Sequence, residues 1–228
     1  MTLVLAIETA TPRCSVALGH EGGVLASFSV DRDRRHVEAL VPAVAAISRA
    51  AGAALADVEV IAVDVGPGLF TGMRVGIATA QALALALGLG VHPVRSLDVL
   101  AHPLRHAGRP VAAVVDARRG EVFRSLHHHG VELLPPACAT PAELAVELAA
   151  QAPCLAAGDG AVRHRATFEA VAGVEVVAAT PTAESALELA LAAVQAGAAG
   201  LDPAQVQALY LRAPDARANF AVVAGGAG

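Results

Sequence analysis

The stretch from Val58 to Leu87 constrains the fold more than any other part of the chain. A β-branched run, Val58 to Val65, passes directly into Gly66-Pro67-Gly68 and then into a long alanine–leucine segment. The run has the length and residue type of a buried strand, and the segment after it has those of a helix. Glycine at 66 and 68 opens backbone angles closed to other residues, and Pro67 fixes one φ between them. A strand that turns abruptly into a helix is the building unit of an α/β sheet. Thr71 is placed to cap the helix, leaving free backbone N–H groups at its start, and such a start can hold an anion. Arg74 lies in the first turn, where a guanidinium adds a charge-assisted contact. Gly66, Gly68, Thr71, Gly72 and Arg74 are therefore candidates for contact with a nucleotide or another anion. The alternative is a tight strand-to-helix turn packed inside an interface. No Lys follows Gly72, so this is not a P-loop, and the third glycine falls one place late for a dinucleotide fingerprint.

The rest of the chain repeats an order. Leu3–Glu8, Cys14–Gly19 and Val24–Val30 read as strands separated by turn residues, and Val37–Ala51 carries helical spacing that stops at Gly52. A charged turn over Asp31–Arg35 precedes that helix. The helix after the glycine turn ends near Leu87, and Val91–Val94 is a short strand. This gives βββαβα. Strands over 111–115, 121–126, 131–134, 154–157 and 174–177, with helices over 141–150, 163–171 and 183–196, repeat it more loosely. The expected architecture is α/β, with two βββαβα lobes. The first lobe covers residues 1–103, rejoined by 203–214. The second covers 104–202, and 215–228 is a tail.

Composition narrows the function. The 228 residues are 55% hydrophobic and 16% charged, which fits a packed core rather than disorder. A net charge of −5 and an aromatic content of 3% give the chain as a whole little attraction for nucleic acid and little material for a base-stacking platform. Cys14, Cys138 and Cys154 are too far apart for a zinc knuckle and odd in number for a disulfide framework. The N-terminus lacks a basic start, and Val75–Val91 is too short and mildly apolar to span a bilayer convincingly. A soluble, cytoplasmic protein with no membrane association is expected.

The motif GPGLFTGMRVG, Gly66 to Gly76, resembles the GPG-x-FTG-x-RxG signature of the TsaB (YeaZ) family, bacterial proteins required for threonylcarbamoyladenosine synthesis on tRNA. LAIETATPRCSVAL at the start, RRHVEALVPAV, DARRGEVF at Asp116–Phe123, GDG at Gly158–Gly160 and YLR at Tyr210–Arg212 are similar to further family segments. The match covers nearly the whole chain. The resemblance implies an actin/Hsp70/sugar-kinase-like (ASKHA) fold and a catalytic paralogue, TsaD. It implies a scaffold role beside TsaD and the ATPase TsaE, a homodimer when alone, and tRNA contact mainly through the complex. It also implies no tightly bound cofactor, with ATP or ADP at the partner interface. TsaD carries a metal-binding H-x-E-x-H motif after the equivalent of Val91–Val94. Here Ser96 and Leu100 occupy the histidine positions, and leucine cannot ligate a metal.

The apolar helix after the glycine turn is either buried on all sides or docked on another protein. On the docking reading, His36, Leu40 and Val44 of one helix, with Met73, Ile77, Ala80, Gln81 and Ala84 of the other, are candidate partner contacts. His36-x-Glu38 lacks the i, i+4 histidine of a zinc pair, and position 40 is Leu. His127-His128-His129 reads as a solvated turn. Asp116, Arg118 and Glu121 are candidates either for an ion pair supporting a turn or for a nucleotide or carboxylate contact. Glu8 ends the first strand, near where related folds hold metal-phosphate, without the other phosphate-loop signals. An independent actin-like ATPase or phosphotransferase is the alternative function. A peptidase has no support, with no H-E-x-x-H, no G-x-S-x-G and no cysteine in an active-site context.

Overall fold

The computed structural model describes residues 1–31 and 36–212, with the side chain of His36 excepted. The expected tail and most of the charged turn lie outside the described residues. Strands β1 (Val4–Glu8), β2 (Arg13–His20), β3 (Gly23–Asp31), β4 (Val60–Asp64) and β5 (Val91–Val94) form one sheet in the order β3-β2-β1-β4-β5. Strands β6 (Val111–Arg118), β7 (Glu121–His128), β8 (Val131–Ala139), β9 (Cys154–Ala157) and β10 (Val174–Val177) form a second in the order β10-β9-β6-β7-β8. Each sheet is an antiparallel three-strand meander extended by two parallel strands, so the duplication expected from element order is present in the topology. These are the two lobes of the ASKHA fold.

Alternation along the strands divides the first lobe into two cores. Leu5, Ile7, Ile61 and Val63 face helices α1 (His36–Ala51) and α2 (Phe70–Leu87). Val4, Ala6, Val60 and Ala62 face α7 (Ala183–Gln195) on the other side. This corrects the division drawn from sequence, which left α7 in the second lobe. Its stripe Ala183, Ala186, Leu187, Ala190 and Leu191 is buried against the first sheet. In the second lobe Phe168 is fully buried among Leu144, Leu148, Val122 and Val174.

Three elements differ from the sequence reading. A six-residue helix, α3 (Ser96–Ala101), follows β5, where no helix was expected. After α4 (Pro141–Ala149) and β9, the helix expected over 163–171 is two short pieces, α5 (Asp159–Arg163) and α6 (Arg165–Glu169), broken at His164. Strand β8 runs past Leu134 through Pro135 and Pro136, which this edge strand tolerates because one missing N–H faces away from β7 and the register shifts between Arg124 and Leu126, opposite the pair.

Where β1 and β4 end side by side, Glu8 and Asp64 lie fully buried on the α7 side of the sheet. Glu8 accepts bonds from the Thr11 N–H, the Thr11 hydroxyl and Ser15 Oγ, and Ser15 Oγ in turn accepts the Ala183 N–H at the start of α7. Asp64 Oδ1 accepts from Ser96 Oγ at 2.7 Å and from the Gly66 N–H at 2.8 Å, while Oδ2 has no donor among the described residues. Burial, and then the charge of Asp64, push the Glu8 carboxyl well above the usual carboxylate range. Burial raises Asp64 to about 7 against the bonds from Ser96 and Gly66, with the charge of Asp98 adding to the rise. Glu8 is thus an inward-facing structural acid, bonded to its own turn.

Two outcomes follow from this packing. Phe168→Ala removes the largest fully buried side chain and should cost about 3–5 kcal/mol in chemical denaturation. The carboxyl pair binds protons more tightly folded than unfolded. Its contribution is therefore complete below the unfolded carboxylate range near 4 and is lost as pH rises through about 7. Denaturation midpoints should fall from pH 5 to pH 8, by at most about 1.4 kcal/mol per pH unit per group. Asp64→Asn should flatten that dependence, and an unchanged profile would refute the assignment.

Candidate functional site

Gly66 stands at φ +104°, in the left-handed region, and its N–H and C=O are both committed, to Asp64 Oδ1 and to the Ser96 N–H. A Cβ on Gly68 would collide with the carbonyl oxygen of Ala10, the same oxygen that accepts the Leu69 N–H at 2.6 Å. The turn is thereby pinned to the loop after β1. Leu69, not Thr71, is the N-cap of α2. It offers no side-chain oxygen, and Thr71 is the second residue of the helix, with its side chain exposed. The first N–H groups of α2 thus start without a side-chain cap, as the sequence required for anion contact, but for a different reason.

The open N-terminus of α2 faces a cleft between the lobes of about 640 Å³. One wall is Gly68 to Arg74, the second is the β6–β7 turn from Asp116 to Arg119 with Phe123, and the third is Leu209 to Arg212. Of the candidate anion contacts, the structure brings Gly68, Arg74, Asp116 and Arg118 together here. It leaves out three. Gly66 and Gly72 are buried in backbone roles, Gly72 by accepting the Thr9 hydroxyl at 2.9 Å, and Thr71 points away. Asp116 forms the turn-supporting ion pairs that sequence allowed, to Arg118 at 3.1 Å and Arg163 at 3.2 Å. Glu121 pairs with Arg212.

Sequence reasoning missed Phe70, Arg119 and the C-terminal wall. Phe70 and Tyr210 pair at the cleft rim, with centroids 5.6 Å apart, and the Arg74 guanidinium lies 3.8 Å over the Phe70 ring while its Nε donates to the Tyr210 hydroxyl. Low aromatic content argued against a stacking platform, yet the fold concentrates two of six aromatics at one edge. The YLR segment was the available signal. Its distance from α2 along the chain hid the contact.

A second, smaller pocket adjoins the cleft between the lobes. Ala10–Pro12 and Val115–Asp116 approach until about 10 Å³ remains, the room of a single water and too little for a polyphosphate. On the opposite side, His127 is buried rather than in a solvated turn. Its Nε2 lies 2.7 Å from Ser125 Oγ and 3.7 Å from Asp98 Oδ1, and burial lowers its pKa. Serine and aspartate address the same nitrogen, and Ser125 is fully buried, so this trio cannot relay a proton from a nucleophile. Cys14 and Cys154 are buried and Cys138 half-buried, all free thiols, and burial pushes Cys14 up to about 11.

The expected partner contacts divide sharply. Leu40, Val44, Met73, Ile77, Ala80 and Ala84 are buried against the first sheet, so they cannot touch another protein. Gln81 is turned inward as well, its amide donating to the carbonyls of Pro203 and Val206. The side chain of His36 lies outside the described residues. The pattern located the two helices but selected their inner faces. The outer faces carry Val37 and Val41 on α1 and Phe70 and Leu85 on α2, between 52% and 72% exposed. By length and composition α2 could cross a membrane, but here a third of it is buried in the protein.

A family model described as TsaD, tRNA N6-adenosine threonylcarbamoyltransferase, matches residues 20–207. The chain is 41% identical over 122 residues to the tRNA threonylcarbamoyladenosine biosynthesis protein TsaB of Escherichia coli strain K12, covering 53% of this chain and 52% of that one. It is 35% identical over 221 residues to an uncharacterized protein of Mycobacterium leprae, covering 95% of this chain and 56% of that one. The matches thus span little more than half the length of either relative. Among solved structures, YeaZ from Pseudomonas aeruginosa superposes with a TM-score of 0.80 at 35% identity, covering 92% of this chain and 100% of that one. The activator of 2-hydroxyisocaproyl-CoA dehydratase from Clostridium difficile, at 8% identity and a TM-score of 0.52, shares the fold alone. Matched over residues 20–207 by the family model and over 92% of its length by YeaZ, with GPGLFTGMRVG at the head of its cleft, the chain belongs to the TsaB (YeaZ) family.

Proposed function

We propose that the chain is the non-catalytic partner subunit of the assembly that forms N6-threonylcarbamoyladenosine at position 37 of tRNAs reading ANN codons. It pairs with the catalytic paralogue TsaD, acts with the ATPase TsaE, and self-associates through the same face when alone. The observation that carries this reading is the outer face of α1 and α2. Val37, Val41 and Leu85 are 69%, 62% and 72% exposed on neighbouring helices, alongside small residues such as Ala78 and Ala82 that permit close approach. Exposed aliphatic side chains are unfavourable in water, and association relieves that cost.

Two further observations support a non-catalytic role. At the positions corresponding to the paralogue's metal ligands, Ser96 is buried and committed to Asp64, and Leu100 is buried among aliphatic residues. The small volume between Ala10–Pro12 and Val115–Asp116, about 10 Å³, weighs against the alternative of an independent ATPase, because it is smaller than a polyphosphate. Only weak nucleotide contact is left to the larger cleft beside α2, with no cofactor retained tightly.

Val41→Glu and Leu85→Glu place charges on this outer face without touching the core. Each should leave the melting temperature close to that of the parent and weaken co-elution with TsaD at least about tenfold. Co-elution unaffected by both changes would remove the assigned face. Depletion of the chain should lower threonylcarbamoyladenosine in tRNA nucleosides measured by mass spectrometry, and an unchanged level would remove the function.

A further inference from the structure

The cleft beside α2 combines three features that the scaffold role does not require. The first is charge. Four guanidiniums, from Arg74, Arg118, Arg119 and Arg212, line it against one lining carboxylate, Asp116, in a chain whose net charge is −5. The second is aromatic exposure. Phe70 and Tyr210, at 52% and 46%, are the two most exposed Phe or Tyr rings among the described residues, and they meet at the rim with Arg74 stacked on one of them. The third is backbone strain. Arg118 and Arg119 stand at φ +62° and +56°, in the left-handed region that glycine and asparagine enter more readily. Two long cationic side chains therefore occupy positions that backbone energetics alone would assign to other residues.

We infer that this cleft takes unpaired nucleotides of an RNA strand, so that the chain contacts the RNA directly. The inference rests on the proposed role in tRNA modification and extends it to substrate contact. Exposed aromatic and guanidinium planes stack bases irrespective of sequence, and cations spread along a groove track successive phosphates. A free nucleotide shares this chemistry but fits the geometry less well. The guanidiniums stand on three separate walls rather than converging on one polyphosphate, and the stacking surfaces lie at the open rim rather than in an enclosed base pocket.

The test uses the full chain, fluorescence-labelled RNA and three competitors: an RNA stem-loop with an unpaired loop, a fully paired duplex, and ATP with magnesium. The stem-loop should bind and the duplex should bind more weakly. ATP at the same concentration should not displace the stem-loop. Tyr210→Ala should weaken stem-loop binding about five- to a hundredfold, and Tyr210→Phe should restore it, because only the ring stacks. Arg118→Asn with Arg119→Asn removes two charges while relaxing the turn, so folding should hold. The slope of log affinity against log salt should then fall by about 1.4 for two lost phosphate contacts. Absence of stem-loop binding, affinity untouched by these changes, or displacement by equimolar ATP would each overturn the inference. Depletion reads the broader role separately. If the modified nucleoside falls on depletion while the chain ignores RNA, only the RNA contact is lost.

Discussion

The fit of the Gly66–Gly68 turn against the end of the first strand sets where α2 begins and where the cleft beside it opens. Ala10 and Gly68 approach so closely that a single added carbon would separate them, and the Leu69 N–H closes the contact on the Ala10 carbonyl. On its other side the turn is tied to Asp64 and to Ser96 at the head of α3, which leads towards the second lobe. One turn thus fixes where α2 begins, how it lies on the sheet and how the connection to the second lobe departs. The cleft exists because α2 starts there with its first turn facing the β6–β7 hairpin.

The helix that leaves this turn does two jobs with one alphabet. Its inner stripe, Gly72, Met73, Gly76, Ile77, Ala80 and Ala84, is narrow and mostly small, so it can lie close on β1 and β4. A Cβ at Gly76 would strike the Thr9 hydroxyl, which is already bonded to Gly72. Close seating consumes only part of the helix surface, and the remainder stays apolar and open. An alanine–leucine helix of this kind therefore carries a core face and an exposed apolar face that composition cannot distinguish.

That is why the sequence resolved elements better than surfaces. Strand and helix identity followed from β-branched runs, helical spacing and the glycine stop at Gly52, which stands in the left-handed region. The duplicated topology followed from their order. The short helix α3 escaped because six residues carry too little periodicity, and its anchoring to Asp64 is a tertiary contact. The inner and outer faces of α1 and α2 were exchanged because both are apolar; only the sheet decides which is buried. The cleft was half legible: the glycine turn and the DARRG hairpin are local signals, whereas the Tyr210–Phe70–Arg74 cluster joins residues more than a hundred positions apart. His127 was misplaced for the related reason that β7 continues two residues beyond its apolar run, to His128.

The two proposed surfaces meet on one residue. Phe70 belongs to the outer face of α2 through its exposure and to the cleft rim through its contact with Tyr210. A partner seated on α1 and α2 would therefore border the cleft instead of standing apart from it. Its surface would add a fourth wall where the cleft is open. A solitary chain offers RNA only a rim of stacking planes and guanidiniums partly engaged with Asp116 and Glu121. Docking would shield those charges from water and strengthen them towards phosphate. On these two proposals, association and RNA contact would be coupled through the first turn of α2.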